Sequence, residues 1–322
     1  MFARRKFSRI LIPAALCIAI LAAVLLNGPS VAVARPPQGQ TRPSALLTEN
    51  SLKHVSEHVY VLMGNPNIGI IVGERATLVV DTGMGPRNGA VVVRVASKLA
   101  KTSNLYLTTT HYHPEHASGE GAFPPNTVLI RPVAQQQELE AHAMEYVDLF
   151  RSRAALNKEL LADVKFRTPD ITFDKEVTID LGGVTARLFW LGTAHTQCDE
   201  LIDVEPDNTL ISGDVVQNKV VPNLPDDRAN VKSWVKVLTE LLPLKPRFIV
   251  PDHSEVGDAS LIETDYAFLS TLQARALELK RQGKSADEAG QILLGEFKTK
   301  YPDWPDLNGV PNVVKHVYAE NP

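Results

Sequence analysis

Three of the chain's nine histidines, His111, His113 and His116, fall within six positions, and Glu115 stands among them. Imidazole and carboxylate donors at this density are the side chains that bind zinc and other first-row metals. On an extended segment, residues two apart point to the same side, so His111 and His113 can grip one ion from one face. Pro114 then turns the chain, and Glu115 with His116 can face a second ion. A lone histidine is ordinarily exposed or hydrogen-bonded to a neighbour. A triplet with a carboxylate, led in by a β-rich run, has the pattern of a metal site.

The elements around this cluster are read from periodicity. Residues 58–62, 68–73 and 76–81 alternate or run apolar as strands, and residues 88–101 carry Val91, Val92, Val95 and Leu99 at helical spacing. Residues 104–110 form a strand running directly into His111, which places the cluster on a loop at a strand end, where open α/β sheets put their chemistry. A short strand at 128–130 and one helical stretch over 133–163 follow. Strands are predicted at 171–173, 176–181, 184–190, 201–204 and 209–212, with Gly182-Gly183 as a hairpin turn. A helix over about 230–242, a strand at 248–250, and helices over about 259–282 and 287–298 complete the pattern. Strands followed by helix, twice over, predict two halves, each a sheet with helices on its outer face.

The His111–His116 segment resembles the His-x-His-x-Asp-His signature of the metallo-β-lactamase superfamily, with Glu115 in the aspartate position. Asp81-Thr82-Gly83 resembles that family's Asp-x-Gly turn, and Gly192-Thr193-Ala194-His195-Thr196 the segment of its fourth ligand. Gly213-Asp214 resembles its bridging-aspartate turn. Pro251-Asp252-His253 resembles its last ligand, where the family more often has Pro-Gly-His. These landmarks occur in the family's order from about Val55 to His253. The resemblance implies an α/β fold, a four-layer αβ/βα sandwich, here with extra C-terminal helices. It also implies that His111, His113 and His195 hold a first metal, that Glu115, His116 and His253 hold a second, and that Asp214 bridges the two. Zinc, two ions, is the implied cofactor, with iron or manganese as alternatives. Asp81 braces the site rather than ligating.

The chemistry so implied is hydrolysis. Paired cations lower the pKa of a shared water to about 7 and polarise a carbonyl, with Glu115 and Asp214 as the catalytic carboxylates. No Gly-x-Ser-x-Gly elbow suggests a covalent mechanism. Cys198, near His195, reads as a buried or idle thiol. Glutamate reaches about 1.5 Å further than aspartate, so the second site is expected to be displaced, weakened or differently filled. By the same resemblance, β-lactamases of this fold carry Cys or Ser near the position of Asp214, while thioesterases and lactonases carry Asp. An ester, thioester or lactone is therefore the expected substrate and a β-lactam the alternative. A mononuclear iron oxidoreductase similar to the sulfur dioxygenases, and a non-catalytic metal-binding protein, are the rival readings.

Composition bounds the setting. Residues 1–34 join a basic start at Arg4, Arg5, Lys6 and Arg9 to an apolar run, a polar break and Ala32-Val33-Ala34. This is the pattern of a cleaved secretory signal peptide, with an uncleaved anchor as the alternative. The expected location is periplasmic or secreted. Without that segment 29 basic residues face 37 acidic ones, a net of −8, which excludes nucleic acid as an obvious partner and leaves a small-molecule substrate. Cys198 is the one cysteine beyond the leader, so no internal disulfide is expected. Residues 35–51, rich in Pro, Gln, Ser and Thr, read as a flexible linker, and 52–322 as the folded domain with a helical extension from about 255. Tyr301 to Pro305 and the tail over 313–318 are expected to cover the core, with a dimer contact as the alternative. Nothing in the sequence sets the oligomeric state.

Overall fold

The computed structural model describes residues 44–321; residues 1–34, expected to be a signal peptide, lie outside the described residues. Two sheets dominate. The first has seven strands in chain order: β1 Leu52–His54, β2 Val59–Leu62, β3 Ile68–Val72, β4 Thr77–Val80, β5 Leu105–Thr108, β6 Val128–Pro132 and β7 Ile171–Phe173. β1 to β4 are antiparallel and β4 to β7 parallel. The second contains β8 Glu176–Asp180, β9 Thr185–Phe189, β10 Leu201–Glu205, β11 Thr209–Gly213 and β12 Phe248–Pro251, antiparallel except for the β11–β12 pair.

The central strands of the first sheet are apolar on both sides because both of their faces are buried. Val59, Val61, Ile71, Leu78 and Val80 meet Leu188, Ile202, Val204, Ile211 and Val250 of the second sheet. The alternate residues Leu62, Ile68, Ile70, Val72 and Val79 pack under α1, Gly85–Leu99, through Val92, Val95 and Ala96. On the far side, β9 to β12 carry α5, Val231–Leu241, and α6, Ser260–Arg281. The result is the expected αβ/βα sandwich. α7, Ala286–Lys300, and α8, Val310–Glu320, pack on α6 and α5, with Trp304 stacked on Phe268 and Val313, Val314 and Val317 buried. Among the described residues no helix is long and apolar enough to cross a membrane.

Three sequence expectations change. The helix over 133–163 is two: α3, Val133–Arg153, and α4, Ala155–Leu160, separated by extended Ala154. The break lets Leu160 and Leu161 fold back into a buried cluster with Met84, Tyr112 and Tyr146, and this burial outweighs the helical propensity of the run. Residues 44–51, the described part of the 35–51 segment, are not free. Leu47 is buried and its N–H donates to Asn88 Oδ1 of α1 at 3.0 Å, and Glu49–Ser51 form a turn of 3₁₀ helix. The chain beyond His111 is not extended either. β5 stops at Thr108, and Pro114 opens a short helix, α2, Pro114–Ala117. Proline is favoured at the first helical position because its φ is preset and it needs no N–H partner there. The Gly182-Gly183 hairpin is present as read, with both residues at positive φ, the geometry a two-residue turn of matching twist requires.

Candidate metal centre

Strand ends bring the chemistry together. Asp81 follows β4, Thr110 to His113 follow β5, His195 lies in the loop after β9, Asp214 follows β11, and Asp252 and His253 follow β12. Gly213 makes the β11 exit possible. Its φ is +57°, and a Cβ there would stand 2.9 Å from the Cβ of Thr110. With glycine, the Asp214 backbone can approach the histidine loop at no steric cost.

All seven residues expected from the sequence converge. His111 Nε2 lies 2.9 Å from His113 Nδ1, which lies 3.2 Å from His195 Nε2. Nitrogen donors around tetrahedral zinc stand about 3.3 Å apart, given bonds of about 2.0–2.1 Å. Asp214 turns Oδ2 toward His195 Nε2 and Oδ1 toward His253 Nε2, each at 3.2 Å. Donor atoms of Glu115, His116 and His253 lie within 4.8 Å of one another, as do those of His111, His113 and His195, and of His111, His116 and Asp214. The longer glutamate is thus accommodated by the α2 turn rather than excluded.

The ring tautomers fit the same use. His195 Nδ1 donates to the Asn223 carbonyl at 2.7 Å, His253 Nδ1 to Asn65 Oδ1 at 2.5 Å, and His116 Nδ1 to Asp81 Oδ2 at 2.9 Å. Each bond leaves an Nε2 lone pair facing the cluster, the arrangement that outer partners impose on metal-binding imidazoles. His116 Nε2 and Glu115 Oε2 are buried without a hydrogen-bond partner, a costly state in a metal-free protein. These orphaned donors and the facing lone pairs fit a pair of cations.

Electrostatics point the same way. Burial, with the neighbouring imidazoles, holds His111 and His113 well below the usual histidine range, and burial takes His253 down to about 4. Neutral imidazole is the ligating form. For Asp214, burial opposes ionisation, but His253, His195 and His116 outweigh it and hold the carboxyl below its ordinary range. Burial pushes Glu115 up. His116 resists its burial because Asp81 and Asp252 lift it well above the ordinary value.

Several supporting residues carried no sequence signal. Thr110 donates its N–H to Asp81 Oδ1 at 2.7 Å, and its hydroxyl lies within 3.4 Å of Asp81, Asp252, His111 and His116. Gln217 Nε2 donates to Asp214 Oδ1 at 3.0 Å while its Oε1 accepts from His253 N at 3.3 Å and Ser254 Oγ at 2.8 Å. Asp265, on α6, anchors Gln217 by accepting its N–H at 2.8 Å. Asp199 clamps the turn after His195 by accepting from Thr196 N and Oγ1. Thr82 accepts from Gly119 N and donates to the His116 carbonyl, tying α2 to the Asp81 turn. Cys198 is fully buried and burial pushes its thiol up, away from a reactive thiolate. His58 pairs with Asp207 and His54 stacks on Tyr60, so both have structural work elsewhere.

Tyr146 of α3 stacks on His113 with ring centroids 4.4 Å apart and bonds Asp226 through its hydroxyl. It also lines a cleft of about 540 Å³ with His142, Glu145, Leu149 and the 225–228 loop. That is the size of a small-molecule pocket.

The two facing sheets with outer helices, and a rim of imidazoles bridged by one aspartate, define a metallohydrolase-type α/β sandwich. The family model of the metallo-beta-lactamase superfamily matches residues 62–253, and the chain belongs to that superfamily. A metallo-beta-lactamase type 2 of Bacteroides fragilis is 27% identical over 203 residues, 60% of this chain and 71% of that protein. The structure of a metallo-beta-lactamase from Pontibacter korlensis aligns with a TM-score of 0.55 at 18% identity, covering 68% of this chain and 98% of that one. The inverting sec-alkylsulfatase Pisa1 from Pseudomonas sp. aligns with a TM-score of 0.64 at 13% identity, covering 84% of this chain but 50% of its own length. These structural likenesses establish the fold. The superfamily covers hydrolases such as β-lactamases and sulfatases and typically binds metal.

Proposed function

We propose that this chain is an exported two-zinc hydrolase that cleaves a small ester, thioester or lactone. One observation carries the reading: the two oxygens of Asp214 face His195 and His253 at equal distance, so a single carboxylate addresses both donor sets. His111, His113 and His195 would hold one cation, Glu115, His116 and His253 the other, with Asp214 shared. Bound there, the two ions supply the Lewis acidity that makes water nucleophilic at neutral pH and polarises the electrophilic carbonyl. The chain's own residues do the rest. Of the two Glu115 oxygens, one would hold the cation and the other would take the proton released by the attacking water. Gln217 orients Asp214, and Tyr146 stacks on His113 and fixes its ring. The basic, apolar, small-x-small pattern of residues 1–34 supports export.

The Bacteroides fragilis relative favours a second reading, β-lactam hydrolysis. Protein purified without added metal, analysed for its elements and assayed on a panel of esters, thioesters, lactones and β-lactams with and without chelator, separates the two. About two zinc ions per chain and chelator-sensitive turnover of a non-lactam carbonyl support the first reading. Turnover confined to β-lactams supports the second. Bound iron with oxygen uptake overturns both.

A further inference from the structure

Asp252 stands where the superfamily signature more often has glycine. Its backbone is already engaged: the N–H donates to the Gly213 carbonyl at 3.2 Å and the carbonyl accepts from Asn67 N at 2.7 Å. The carboxylate is 1% exposed, and Oδ1 has no hydrogen-bond partner. Oδ2 meets Thr110 Oγ1 at 3.1 Å and His116 Nδ1 at 3.3 Å. Asp81 already accepts from that same His116 nitrogen at 2.9 Å and from the same Thr110 hydroxyl at 3.0 Å. Two buried carboxylates therefore converge on one imidazole N–H and one hydroxyl, which together offer two protons. Burying the second acid beside the first costs stability, and glycine would relieve that cost.

The cost has a return only at the other end of His116. Carboxyl oxygens held behind Nδ1–H fix the ring and make Nε2 a stronger donor, and Nε2 faces the cluster with no protein partner. The two departures from the family signature, Glu115 and Asp252, then act on the same donor set. The His195 ring of the other set is backed by the neutral Asn223 carbonyl instead. We propose that Asp252 is a positioning residue that, together with Asp81, holds and polarises His116 so that the Glu115–His116–His253 set binds its cation tightly. This rests on the two-cation reading above.

The test is a zinc titration of chelator-treated full chain against a chromophoric competitor, for wild type, Asp252→Asn and Asp252→Gly. Wild type should take up two equivalents. Both variants should keep the affinity of the tighter step and lose about 10- to 100-fold in the weaker one. The visible absorption of the second cobalt equivalent should weaken in parallel. The urea midpoint of each metal-free variant should equal or exceed that of wild type, showing that the fold is intact. Two equivalents in wild type with the second held as tightly by both variants would overturn the inference alone. Wild type that takes up fewer than two equivalents overturns the two-cation reading, and the inference with it.

Discussion

The two halves of the metal centre share one rim but are built differently. The His111–His113–His195 set consists of buried imidazoles alone, and burial with the neighbouring imidazoles holds His111 and His113 well below the usual histidine range. The Glu115–His116–His253 set mixes a carboxylate from a helical turn with two imidazoles, one backed by the acids Asp81 and Asp252 and the other by the amide of Asn65. His253 is also the more open residue, at 23% side-chain exposure against 1% for His195. The difference teaches that donor geometry can be nearly symmetric about Asp214 while the charge behind each set is not. The first set resembles a preformed cage. The second depends on what stands behind its ligands.

The contrast is broken most severely by deleting one ligand from each side. His195→Ala should lower turnover by about 10³-fold and abolish the tighter metal step, because the buried all-imidazole set cannot rebuild itself. His253→Ala should lose the weaker step while sparing the tighter one, as read by metal stoichiometry after dialysis. Equal loss from both variants would show that the sets are not separable. Next in size is Gln217→Ala, which releases Asp214 and His253 together and should cost about 10-fold in kcat with a smaller change in the tighter zinc affinity. Gly213→Ala forces an alanine into left-handed backbone 2.9 Å from Thr110. It should cost about 1–3 kcal/mol in urea unfolding of the metal-free protein.

The smallest expected effect is a pH dependence. In metal-free protein the folded-state value of His253 is lowered to about 4, below its ordinary 6.5. Between those two values the unfolded chain binds the extra proton, so this residue's contribution to stability rises with pH and is lost as pH falls from about 6.5 towards 4. His253→Asn should remove that slope. Its urea midpoint should therefore gain on that of wild type by an equivalent of about 1 kcal/mol between pH 6.5 and 5.5. A constant difference across that range would show that His253 is not desolvated as described.

Much of this was legible in the sequence for simple physical reasons. Strands buried on both faces read as unbroken apolar runs, as at 68–72 and 77–80, and a glycine pair between alternating segments marks a two-residue hairpin. Ligand types announced themselves by clustering, and His195, Asp214 and His253 by their landmarks. Polar residues that merely support a site have no such pattern. Thr110, Gln217, Asn65 and Asp265 are common residue types at unremarkable spacing, and their work lies in partners up to 188 residues away, the separation of Asn65 and His253. The split between α3 and α4 was invisible because both sides favour helix. Only the burial of Leu160 and Leu161 under Met84 required a break.

By itself, then, the sequence determined the donor chemistry, the alternation of sheets and helices, and the acidic character of residues 35–322, because residue type and local period carry those directly. Tertiary structure alone decided that a glutamate fits where an aspartate is usual, and that Asp252 stands beside Asp81 behind His116. Both depend on how strand ends 30 to 170 residues apart meet at one rim, roughly at hydrogen-bond distance, and no local pattern encodes distances between segments that far apart.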